Sequence, residues 1–117
     1  MLETPYPLWS KSPEPSLLAS RHIVSGEFTF AAVDSSSPIS GEFELVPLNP
    51  IGTVYSYTVI HPSKKGGQLP YVLGYVDLPG PVRIFGRLVG KDKPSIGERY
   101  AAQMDDVFGY VFVAIEN

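Results

Sequence analysis

The chain contains no cysteine. Disulfides, thiolate metal sites and a cysteine nucleophile are thereby excluded. No apolar run approaches the roughly 20 residues a membrane-spanning helix needs. The first residues show no basic segment leading into a hydrophobic one, so no signal peptide is expected and the expected location is cytoplasmic. Basic charge is scarce: 9 Lys and Arg against 12 Asp and Glu leave a net charge of −3. A general nucleic-acid binder would instead present a basic face. Nucleophile elbows, phosphate-binding glycine loops and metal-ligand sets are also missing, so the chain does not read as an enzyme.

What is present points to an all-β protein. The 117 residues, 44% of them hydrophobic, suffice for one modest core. Glycine and proline are abundant, at 11 and 12 residues, as a turn-rich β fold requires. Residues 1–16 hold Pro5, Pro7, Pro13 and Pro15, which remove backbone donors and block a regular helix. This stretch reads as an extended proline-rich arm, with Tyr6, Leu8 and Trp9 as contacts to the protein's own core or to a partner chain. Ser16 is placed to cap one helical turn over 16–20.

Residues 17–48 repeat a small unit. Glu27–Phe30 and Glu42–Val46 each alternate as short strands, and each follows a Ser-Gly turn, Ser25-Gly26 and Ser40-Gly41. From residue 49 the pattern becomes regular. Strands are expected at about 53–61, 70–78, 82–89, 98–104 and 107–115. The third alternates most cleanly, with Arg83, Phe85 and Arg87 on one face. Pro79-Gly80-Pro81 marks a tight turn, Asp105-Asp106 another, and 90–97 a loop with room for one helical turn. Five strands, with the long link between the third and fourth, fit a small OB-type barrel; a two-sheet sandwich is the structural alternative. Gly74, Gly86 and Gly109 inside strands would allow bends or close backbone approach.

The segments Gly52–Pro62, Leu69–Gly90, Ser95–Gln103 and Val107–Val113, in this order and spacing, resemble the DUF35 family of OB-fold proteins associated with acyl-CoA enzymes. The resemblance covers about residues 50 to 113. Its members usually carry a rubredoxin-like zinc ribbon before the barrel, built on two Cys-x-x-Cys knuckles. The corresponding positions here hold His22, Ser25, Ser37 and Ser40, so the resemblance implies a degenerate ribbon without metal, its shape kept by hydrogen bonds and by Phe28, Phe30, Phe43 and Leu45. The domains are then an arm over 1–16, a ribbon-like module over 17–48 and a barrel over 49–117.

The resemblance further implies a non-catalytic accessory or scaffold subunit that binds a thiolase-like, hydratase or aldolase acyl-CoA enzyme and helps complete an acyl-CoA cleft. A coenzyme A thioester is the one cofactor it suggests. The residues nominated to face coenzyme A or the partner are Arg83, Phe85 and Arg87, with Lys64 and Lys65 in the neighbouring loop, Tyr55, Tyr57 and His61. His61 is the best single titratable candidate, set against a plain role in capping its strand. Tyr55, Tyr57, Tyr71 and Tyr75 offer stacking surfaces for single-stranded nucleic acid, a reading the acidic charge weakens. A stand-alone ligand-binding barrel is the other alternative, and self-association through open strand edges is allowed.

Overall fold

The computed structural model describes residues 8–10, 15–33, 36–63 and 69–115. The chain divides into two compact units, one of residues 1–49 with 79–82 and one of residues 50–78 with 83–117.

The first unit holds a three-stranded sheet in the order β2-β1-β3. Its strands are β1 (Leu18–His22), β2 (Phe28–Thr29) and β3 (Phe43–Pro47), with a single 3-10 turn over Ser40–Glu42 before β3. β1 is the central strand. It pairs antiparallel with both neighbours, Ser20 opposite Thr29 on one side and opposite Leu45 on the other. The expected helical turn over 16–20 is therefore absent. Two flanking strands take the backbone donors and acceptors that one isolated turn would leave mostly unmet. The preceding residues do not extend away either. Trp9 bridges antiparallel to Leu17, the Leu18 N–H donates to the Leu8 carbonyl at 2.8 Å, and the Ser10 N–H to the Ser16 carbonyl at 2.9 Å. Residues 8–10 thus pair with residues 16–18, while residues 1–7 and 11–14 of the expected arm lie outside the described residues. Leu17, Ala19, Ala32 and Leu48 form this unit's buried set. Ser20, also buried, accepts the Val33 N–H at 2.7 Å.

The second unit is a closed five-stranded barrel in the order β4-β5-β6-β8-β7. The strands are β4 (Ile51–Ile60), β5 (Tyr71–Leu78), β6 (Val82–Val89), β7 (Arg99–Asp105) and β8 (Gly109–Ala114). β4 pairs antiparallel with β5 and β7, β7 antiparallel with β8, and β8 parallel with β6. The parallel β6–β8 pair requires a crossover, and β7 with the loop before it supplies that crossover. This is the five-stranded OB topology, not a sandwich. Val54, Val72, Val76, Ile84, Leu88, Tyr100 and Phe112 are buried, the alternate positions of their strands, as period-two geometry demands.

Two devices close the barrel. Gly74 faces inward against β4, where a Cβ would collide with the Ser56 carbonyl and approach Tyr57 to 3.0 Å. A bulge in β4 makes the register jump: Val54 pairs with Val76, then Ser56 with Tyr75, which leaves Tyr55 as the extra residue. The 90–97 loop contains turns and bends and no helix.

Candidate functional site

The outer face of β5 and β6 carries the nominated side chains. In β6, Val82, Ile84 and Leu88 are buried while Arg83 and Phe85 are exposed and Arg87 half-buried, so the three share the outer face as their spacing requires. The two arginines differ in their partners. The Arg83 Nε donates to Asp77 Oδ1 at 2.7 Å and Nη2 to Oδ2 at 3.2 Å, and the guanidinium lies 3.4 Å from the centre of the Tyr55 ring. Asp77 raises the pKa of Arg83, first through this hydrogen bond, so Arg83 is a cation already paired with a carboxylate. Phe85 meets the edge of Tyr75 at 5.0 Å between ring centres. Arg87 lies 4.7 Å from the Tyr71 ring and 5.3 Å from Phe108. It has no carboxylate partner among the described residues.

Beside this row runs an open groove of about 870 Å³, walled by Leu69, Pro70, Tyr71, Leu73, Phe85, Gly86, Arg87, Phe108 and Tyr110. Gly86 forms its floor, since a Cβ there would come within 2.9 Å of Tyr110 and 3.0 Å of Phe112. Tyr110 is fixed by its hydroxyl, which donates to the Phe85 carbonyl at 2.6 Å, and burial raises its pKa. Phe108 is presented by the β7–β8 turn. There Asp105 Oδ2 accepts the N–H groups of Val107 at 3.0 Å and Phe108 at 2.8 Å, and Gly109 takes a positive φ of 86°. A second groove of about 590 Å³ shares Leu69, Pro70, Tyr71 and Arg87 and adds His61, Lys91, Asp92 and Lys93. Lys91 is engaged by Glu98, whose pKa is lowered first by that bond and then by the Ser95 N–H. OB barrels bind ligands on the face of their second and third strands, between the first and fourth inter-strand loops. The larger groove lies there, while the second runs from the first inter-strand loop to the third.

The remaining candidates separate. Tyr55 is outside, 51% exposed. The bulge reverses the alternation after it, so Tyr57, paired with Gly74, turns to the inner face and leaves the candidate site. His61 is exposed one residue past β4 and lines the second groove; it has no hydrogen-bond partner among the described residues, and so no nucleophile or carboxylate to work with. Lys64, Lys65 and Tyr6 lie outside the described residues. Leu8 and Trp9 are half-buried in the first unit. Sequence reasoning missed Asp77, Leu69, Leu73, Phe108 and Tyr110. Asp77 was legible: it and Arg83 stand at equal distances either side of the 79–81 turn.

In the first unit three of the four positions that the resemblance sets against zinc ligands, His22, Ser25 and Ser37, turn their side chains onto nearby backbone. The His22 Nδ1 accepts the Ser25 N–H at 3.2 Å, Ser25 Oγ the Glu27 N–H at 3.2 Å, and Ser37 Oγ the Ile39 N–H at 3.4 Å. The Gly26 N–H donates to the His22 carbonyl at 2.8 Å and the Ser40 N–H to the Ser37 carbonyl at 3.0 Å, which closes both knuckles. One imidazole and three hydroxyls do not fit zinc at neutral pH. His22 instead meets the Phe43 edge at 5.1 Å and Glu42 Oε1 at 3.4 Å. Leu45, expected to support the ribbon, is 55% exposed, while Phe43 two residues before it on β3 is half-buried.

Comparison with known proteins places this geometry among relatives. The family profile "ChsH2, C-terminal OB-fold domain" matches residues 45–105. The benzoylsuccinyl-CoA thiolase subunit BbsA of Geobacter metallireducens is 39% identical over 66 residues, 56% of this chain and 45% of the relative. Its namesake from Thauera aromatica is 45% identical over 49 residues, 42% of this chain and 34% of the relative. A DUF35 domain-containing scaffold protein of Methanocaldococcus jannaschii is 33% identical over 90 residues, 65% of this chain and 64% of the relative. The chain therefore spans less than half the length of the two thiolase subunits it matches. Among solved structures, the Ltp2-ChsH2(DUF35) aldolase superposes with a TM-score of 0.65 at 26% identity, covering 85% of this chain and 84% of that one.

Proposed function

The chain belongs to the DUF35 family, that of the ChsH2 C-terminal OB-fold domain, and on that premise we propose that it is a non-catalytic accessory subunit which binds a thiolase-like or other acyl-CoA-processing enzyme. The observation that carries this reading is the outer barrel face. Tyr55, Leu69, Tyr75, Phe85 and Phe108 are all between 42% and 83% exposed, with Tyr55 on Arg83, Tyr75 on Phe85 and Phe108 on Arg87. Aromatic side chains and arginine are the residues enriched where proteins meet, and their burial supplies most of the binding energy. The relatives' names, thiolase subunit and scaffold protein, agree with that use of the face. His61 stands without a catalytic partner among the described residues, which supports leaving the chemistry to the bound enzyme.

A second reading rests on the groove that gathers His61, Arg87, Lys91 and Lys93. Arg87 and Lys93 suit the phosphates of a coenzyme A thioester held between this chain and the enzyme, with Lys91 already engaged by Glu98 and Asp92 in the same lining. Titration calorimetry with coenzyme A esters tests the division of labour. The accessory reading expects weak or no binding, and no thioester turnover, by the chain alone. Tight binding by the chain alone would move the conclusion to a self-contained ligand-binding barrel.

A further inference from the structure

We propose that the larger groove is a binding site for a hydrophobic carboxylic acid, its apolar body against Phe85, Phe108 and Tyr110 and its carboxylate on Arg87. The walls are mostly apolar, with the two tyrosines Tyr71 and Tyr110 among them, and one guanidinium lines them. Arg83 is held by Asp77 and Lys91 by Glu98, whereas Arg87 has rings on two sides, Tyr71 at 4.7 Å and Phe108 at 5.3 Å, and no carboxylate among the described residues. Aromatic faces orient a guanidinium and attract it without cancelling its charge.

The selectivity follows from desolvation. An uncharged ligand filling the groove would cover Arg87 and leave its donors unmet, at a cost that offsets the apolar gain. A ligand bringing one carboxylate meets the guanidinium fork with two oxygens. A phosphate monoester brings close to a second negative charge, and among the described residues lining this groove Arg87 is the one cation. The volume, about 870 Å³ and open on one side, is in the range of pockets for small organic ligands. The site does not depend on the accessory reading, because its described lining belongs to the barrel unit alone.

The experiment is a titration of the whole chain with phenylbutyrate, followed by two-dimensional amide NMR, beside phenylbutanol, phenylbutyl phosphate and coenzyme A. The expected result is saturable shifts at Tyr71, Arg87 and Phe108 with phenylbutyrate, and affinity at least about tenfold weaker for the alcohol, the size of one charge-assisted hydrogen bond. The phosphate and coenzyme A should bind no more tightly than the acid. Arg87→Gln should lose about the same tenfold for the acid while the amide spectrum keeps its dispersion. Arg21→Gln, which removes the same charge from a pair with Glu44, should change nothing. No saturable binding, an alcohol as tight as the acid, a tighter phosphate or coenzyme A, or an Arg87→Gln variant equal to wild type would each overturn the proposal.

Discussion

Tyr100 is fully buried, and its hydroxyl has no hydrogen-bond partner among the described residues. Removing that oxygen deletes an unmet polar group and leaves the ring packing intact. Tyr100→Phe is therefore expected to be neutral or to stabilise by up to about 2 kcal/mol in urea denaturation; a loss of similar size would mean that the hydroxyl has a partner. The pH dependence has a fixed sign. Burial raises the Tyr100 pKa above its ordinary 10.0, with Glu98 and Tyr57 adding to it. The folded state then holds its proton where the unfolded chain loses it, so this contribution is intact below pH 10 and falls as pH rises beyond. Tyr100→Phe should flatten the alkaline decline. Gly74 illustrates the opposite extreme. Its Cβ would strike the Ser56 carbonyl, a backbone atom with no room to yield. Gly74→Ala should cost at least about 2 kcal/mol by overpacking, while Gly41→Ala, with nothing within 4 Å of the added carbon, should leave the melting curve in place. Of the candidate residues, Arg83, Phe85 and Arg87 were legible because β6 alternates without interruption. Asp77 as the partner of Arg83 was legible across the 79–81 turn, whereas Tyr71 and Phe108 as the partners of Arg87 were not, since they come from another strand and a turn.

At the level of elements, the barrel strands were legible to within a few residues, because alternation and glycine or proline punctuation agree there. Two features were not. β1 carries residues that suit a capped turn, and only its two neighbours make it a strand. The β4 bulge leaves no local mark, yet it sends Tyr55 outward and Tyr57 inward. Tyr57→Ala should accordingly destabilise more than Tyr55→Ala, by about 1 kcal/mol or more; equal losses would contradict the register. The knuckles make a further prediction. Their backbone loops are closed by the same-chain bonds of Gly26 and Ser40, and the Ile23 N–H donates to the Glu42 carbonyl at 2.9 Å, which joins one to the other. Replacing His22, Ser25, Ser37 and Ser40 together by Cys should create a stoichiometric zinc site that raises the melting temperature. Elemental analysis showing no retained zinc in that variant would mean that the ribbon geometry has been lost with its ligands.

On the scale of the whole molecule, the account joins a closed OB barrel, a small sheet with knuckles that do not fit zinc, and an exposed aromatic face without a catalytic constellation among the described residues. The strand order and family were legible from motif order alone. The grooves were not, because they are assembled from β5, β6 and the turns at 69–70 and 106–108. The most direct test of the accessory reading is affinity capture of the tagged chain from its native lysate, read by mass spectrometry. The account predicts recovery of a thiolase-like, hydratase or aldolase acyl-CoA enzyme in stoichiometric amount. Recovery of the chain alone, at low salt and with coenzyme A present, would contradict it.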